Sequence, residues 1–131
     1  MQSPPLIAVV EDESSVRKAL ARLLRAAGLG ADTYASGEAF LQAMPDRAPD
    51  CLLLDLQLPG LNGLAVQLRL RQSGLKLPIV FITAAESLED REHALHSGAL
   101  AWLPKPVNDQ VLLDTIKLAL SQANPLGTNH H

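Results

Sequence analysis

Short apolar runs alternate along this chain with longer stretches of 3.6-residue periodicity. Leu6-Ile7-Ala8-Val9-Val10, Ala31 to Tyr34, Leu52-Leu53-Leu54-Asp55, Ile79-Val80-Phe81-Ile82 and the stretch around Ala101-Trp102-Leu103 are bounded by turn residues and read as strands. After the first comes a helix with Val16, Ala19, Leu20, Leu23, Leu24 and Ala27 on its apolar side and Arg17, Lys18, Arg22 and Arg25 between them. Ser14 or Ser15 is its expected cap and Gly28 its stop. Ser36-Gly37-Glu38 opens a brief helix through Phe40 and Leu41 that Pro45 ends. Gly63 to Ser73 is expected to turn Leu64, Leu68 and Val66 inward, and Glu86 to Ser97 to form a helix ended by Gly98. Asn108 to about Ala123 is the last helix, capped by Asn108 and Asp109, with Leu112, Leu113, Ile116 and Leu120 as its buried stripe. Five strands each followed by a helix argue a parallel sheet covered on both faces.

The polar residues that interrupt this pattern fall at strand ends. The first run stops on Glu11-Asp12-Glu13 and the third on Asp55, followed by Pro59-Gly60. In open parallel sheets the carboxyl edge is where sites are built. If the two strands are neighbours, their carboxylates concentrate negative charge that is costly unless a cation fills it, which asks for Mg²⁺. The fourth run finishes on Thr83, a hydroxyl donor, and the fifth leads to Pro104-Lys105-Pro106, an amine beside a rigid turn.

Glu11-Asp12, Asp55 with Pro59 and Gly63 after it, Thr83-Ala84 and Lys105-Pro106, in that order and each at a strand end, resemble the receiver domain of two-component response regulators, the CheY-like family. The match runs from about Leu6 to Ala123. With right-handed crossovers, the resemblance implies a flavodoxin-like (βα)5 doubly wound sandwich with sheet order 2-1-3-4-5, which sets Asp12 beside Asp55. It implies that Asp55 accepts a phosphoryl group from a sensor histidine kinase. Mg²⁺ or Mn²⁺ would be held by Asp12, Asp55, the backbone carbonyl of Gln57 and, through water, Glu11. Lys105, the Thr83 hydroxyl and the Ala84 backbone N–H would bind the phosphoryl oxygens, and Lys105-Pro106 is the expected cis peptide. Thr83 and Trp102 would form the switch that changes the face made by the fourth helix, fifth strand and fifth helix. A phosphorylation-dependent homodimer is the expected assembly. The phrasing Val16-Arg17-Lys18-Ala19-Leu20 and Asp109-Gln110-Val111-Leu112-Leu113 is most similar to FixJ-type receivers, which precede a DNA-binding domain, so DNA would be reached only through a domain absent from this chain.

The sequence departs from the common pattern in places. Trp102 stands where Tyr or Phe is usual, and Leu58 where Met is frequent. Ala84 and Ala85 leave the mouth of the site uncrowded, and Gln57 could order a water or hinder it. Each residue also has a plainer role: Glu11, Asp12 and Glu13 as acids favouring a helix start, Asp55 as a turn former, Thr83 as a helix cap, Lys105 as a solvated loop lysine. An interaction module not driven by phosphorylation would lack part of the Asp, Thr, Lys set, and none is missing here. A flavodoxin would need a Ser-, Thr- and Gly-rich loop after the first strand, and a haloacid-dehalogenase phosphatase Asp-x-Asp there.

Composition narrows the picture. At 131 residues, 47% hydrophobic and 19% charged, one soluble domain is expected. A net charge of −3 gives no basic footprint for nucleic acid. The start, Met1-Gln2-Ser3-Pro4-Pro5, lacks signal-peptide character, and no apolar run reaches the roughly 20 residues of a membrane span, so a cytoplasmic protein is expected with no membrane partner. Cys51 reads as a small core hydrophobe. His93 and His96 have metal-ligand spacing but no third ligand and are left out of the site. The expected organisation is a lead at 1–5, the receiver at 6–123 and a linker or tag remnant at 124–131.

Overall fold

The computed structural model describes residues 3–84 and 87–123. The expected linker or tag remnant, Ala85, and Glu86 as a helix start lie outside the described residues. Strands β1 (Leu6–Val10), β2 (Gly30–Tyr34), β3 (Cys51–Asp55), β4 (Ile79–Thr83) and β5 (Ala101–Pro104) alternate with helices α1 (Ser14–Ala26), α2 (Gly37–Ala43), α3 (Gly63–Gln72), α4 (Leu88–His96) and α5 (Asp109–Ala123). All strand pairs are parallel, in the order β2-β1-β3-β4-β5, so the flavodoxin-like arrangement expected from the sequence is the one formed.

The apolar runs are buried on both sides because the strand period of two sends alternate residues to two separate cores. Ala8, Val10, Leu52, Leu54, Ile79 and Phe81 join Phe40, Val66, Leu70 and Ala94 from α2, α3 and α4. Ile7, Val9, Cys51, Leu53, Val80 and Ile82 join Ala21, Leu24, Leu112, Ile116 and Ala119 from α1 and α5. With β1 and β3 adjacent, Val10 pairs with Leu54, so Glu11, the residue after β1, stands level with Asp55, the last residue of β3.

Three helix details differ from expectation. The N-cap of α1 is Glu13, without a side-chain cap bond, not Ser14 or Ser15. The turn before it is held instead by Arg17, whose guanidinium donates to the backbone carbonyls of Glu11 (2.8 Å) and Asp12 (3.3 Å). In α1 the buried positions are Ala21 and Leu24, and Ala19, on the outer edge of the apolar stripe, is exposed. In α3 the buried positions are Gly63, Val66, Gln67 and Leu70, spaced i, i+3, i+4, i+7, which leaves Leu68 52% exposed rather than inward. Of the two residues expected to cap α5, Asn108 does so, its side-chain oxygen accepting from the N–H groups of Gln110 and Val111, while Asp109 is the first residue of the helix.

Candidate functional site

Every strand that contributes to the site delivers its polar residue at the carboxyl edge. Asp55 is the last residue of β3, 4% exposed, flanked by β1 and β4 in the middle of the sheet. A buried carboxylate requires partners, and it has one local and one distant. The Gln57 N–H donates to Oδ1 at 3.1 Å, so the chain turns back around the carboxylate immediately after the strand. Lys105 Nζ donates to Oδ2 at 3.0 Å.

Lys105 reaches this position because β5 lies beside β4: the Lys105 N–H donates to the Thr83 carbonyl at 2.9 Å, and the Lys105-Pro106 peptide is cis, as expected. Its ammonium also meets Glu11 Oε1 at 2.6 Å. This pair spans 94 residues of sequence, and no local signal announced it. Burial alone would lower the lysine's affinity for its proton, but the hydrogen bonds to Glu11 and Asp55 outweigh it and hold the ammonium above its ordinary pKa. Glu11 is fully buried, and burial pushes its carboxyl above the ordinary range despite the opposing hydrogen bonds from Lys105 and the Glu13 N–H.

Of the acidic triplet, two members face the site. Glu11, Asp12 and Asp55 each offer an oxygen, and these lie within 4.8 Å of one another. Glu13 is outside this group: it is exposed at the start of α1, and its backbone N–H donates to Glu11 Oε2 at 3.1 Å. Three clustered carboxylate oxygens, one exposed to solvent through Asp12, are a hard donor set that fits a Mg²⁺-like ion keeping part of its water. Lys105 supplies one positive charge against the three acids.

The remaining expected residues ring this centre. Thr83 ends β4 fully buried, paired in register with Pro104, and Ala84 after it is exposed. The cap of α4 is Ser87, whose hydroxyl oxygen accepts from the Asp90 N–H at 3.1 Å, so Thr83 does not cap that helix. Trp102 in β5 is half-buried against Phe81, ring centroids 5.5 Å apart at 39°. His93 and His96 are exposed on α4 and join no metal-ligating group among the described residues. Sequence reasoning missed Arg17 as the clamp on the turn that carries Glu11 and Asp12; its place on the polar side of α1 gave no sign of it.

The chain is similar to known proteins over most of its length. The family described as response regulator receiver domain matches residues 7–117. Nodulation protein W of Bradyrhizobium diazoefficiens is 40% identical over 115 residues, 87% of this chain and 50% of that protein. The DNA-binding transcriptional regulator NtrC of Escherichia coli K12 is 35% identical over 116 residues, 88% of this chain and 25% of that protein. A response regulator receiver protein from Burkholderia phymatum, of known crystal structure, is 46% identical and superimposes with a TM-score of 0.79 over 89% of this chain and 95% of that one. The chain thus spans half the length of the first of these relatives and a quarter of the second.

Proposed function

Because the chain belongs to the response regulator receiver family, we propose that Asp55 is its phosphoacceptor and that phosphorylation there drives a two-state switch. A sensor histidine kinase is the donor: an Asp55 carboxylate oxygen attacks the phosphorus of a phosphohistidine, the P–N bond breaks, and an acyl phosphate forms. Phosphoryl transfer depends mainly on positioning and charge neutralisation. Asp12, Asp55, the Gln57 carbonyl and, through water, Glu11 would hold Mg²⁺ or Mn²⁺, which when bound neutralises the incoming phosphoryl charge. Lys105, already at 3.0 Å from Asp55, would pair with a phosphoryl oxygen. The Thr83 hydroxyl and the Ala84 N–H would take the others.

The observation that carries this reading is the convergence of Glu11, Asp12, Asp55 and Lys105 on one point from three different strand ends. Drawing Thr83 toward the new phosphoryl group would let Trp102 move further in beside Phe81 and alter the α4-β5-α5 face. That face would then support a homodimer and control an output, transcriptional in character, with DNA contacted only through a domain outside this chain. The domain catalyses no other reaction than its own phosphorylation and, with Gln57 influencing how water approaches, its dephosphorylation. The receiver occupies 6–123, with a lead at 1–5 and a linker or tag remnant at 124–131, and works in the cytoplasm.

The bond type tests this reading. Acetyl phosphate with Mg²⁺ should add one phosphoryl group that hydroxylamine removes, as it does from acyl phosphates. A label that resists hydroxylamine would be a hydroxyl ester and would contradict an aspartyl site.

A further inference from the structure

The loop that follows Asp55 is held at two places by its own backbone: the Gln57 N–H on Asp55 Oδ1, and the Gly63 N–H on the Leu56 carbonyl at 2.9 Å. Its outer end, Pro59-Gly60-Leu61, is held by neither. It is met instead by the first turn of α2, which no motif marked as part of the site. Glu38 Oε2 accepts from the Leu61 N–H at 3.1 Å. The same carboxylate lies over Gly60, where an added Cβ would stand 2.2 Å from Oε2, and Gly60 has φ +71°, a conformation suited to glycine. On the other side of Leu61, its carbonyl lies 3.3 Å and its Cβ 3.7 Å from where a Cβ on Gly37 would be. Ser36 fixes the start of this helix through the Ala39 N–H at 3.1 Å. Leu61 therefore meets α2 at two points: its N–H on the Glu38 carboxylate, and its carbonyl and Cβ beside the bare Gly37, whose nearest neighbour is the Val66 side chain.

We propose that Glu38 is a positioning residue for the metal centre: by holding the Gly60-Leu61 turn it fixes the backbone of Gln57, and so sets how tightly the site binds Mg²⁺. This rests on the reading that Gln57 presents its carbonyl to the ion. The carboxylate itself stays outside the centre. Groups that orient a ligand commonly alter metal affinity by roughly tenfold to a hundredfold, and Glu38 acts one step further out through an exposed hydrogen bond.

Mg²⁺ titration followed by Trp102 fluorescence tests this on three proteins. Glu38→Ala should bind Mg²⁺ about threefold to tenfold more weakly than the parent, and its Leu61 amide should exchange with solvent faster without metal present. Glu38→Gln keeps an acceptor oxygen but no charge and should stay close to the parent in both. Equal affinity in the parent and Glu38→Ala would overturn the proposal. So would a Glu38→Gln as weak as Glu38→Ala, because the effect would then be charge alone. A parent that shows no saturable response to Mg²⁺ would instead remove the metal reading on which it rests.

Discussion

Cys51 opens β3 with its thiol in the core beneath α1 and α5, and burial pushes its pKa to about 12 from an ordinary 9.0. Between those values the unfolded chain has released the proton and the folded chain keeps it, so stability falls as pH rises, by about 1.4 kcal/mol per pH unit. Tyr34, raised by burial and the charge of Asp32, and Lys105, raised by its two acids against the effect of burial, act in the same direction. Replacing the cysteine removes one of these contributions without touching the site. Urea unfolding of the parent and Cys51→Ala at about pH 8 and about pH 10 should show the parent losing about 1.4 kcal/mol more than the variant. Parallel losses would mean that the thiol is not buried as described. For Glu11 and Lys105 the residue types were legible in the sequence, but their contact was not, since periodicity carries no information about a pair 94 residues apart.

At the scale of elements, β4 and β5 connect the site to the surface. Thr83 ends one and Trp102 lies in the other, packed on Phe81, the partner of Leu54 in the central strand. If phosphorylation acts by drawing Thr83 inward, Thr83→Ala should still be labelled on Asp55, since its hydroxyl is not the nucleophile, yet lose most phosphorylation-dependent self-association. Moving a two-state equilibrium from about 1:99 to 99:1 takes roughly 5.5 kcal/mol, and a charge-assisted hydrogen bond supplies about 1.5–3 kcal/mol of that. Sedimentation of the beryllofluoride-treated proteins decides it: a variant that dimerises as well as the parent would show that the switch bypasses Thr83. The central strands β1, β3 and β4 were readable because unbroken apolarity between turn residues has few other meanings, whereas β2, with Asp32 and Thr33 in it, was marked by its short length between Gly30 and Ser36-Gly37. The facing of α3 was not readable. Leu64, Val66, Leu68 and Leu70 spread around much of the helix, and the buried position that completes the true face is Gln67, whose side-chain amide donates to the Ala94 carbonyl at 2.9 Å. A polar residue with a partner 27 positions away looks like surface until the partner is known.

For the whole molecule, parallel order did what no single motif could: with β3 between β1 and β4, it brought acids from two strands and an amine beyond a third to one edge. The sequence carried that architecture through the repeated strand-helix alternation, while the grip of α2 on the Asp55 loop depended on packing between elements 23 residues apart. Among the described residues no helix is long and apolar enough to cross a membrane. On the proposed function one carboxylate, Asp55, receives the phosphoryl group. Intact-mass analysis of the parent and Asp55→Asn after acetyl phosphate and Mg²⁺ decides this. The parent should gain one phosphoryl group and the variant none; equal labelling of Asp55→Asn would move the site elsewhere, with Asp12 the next candidate.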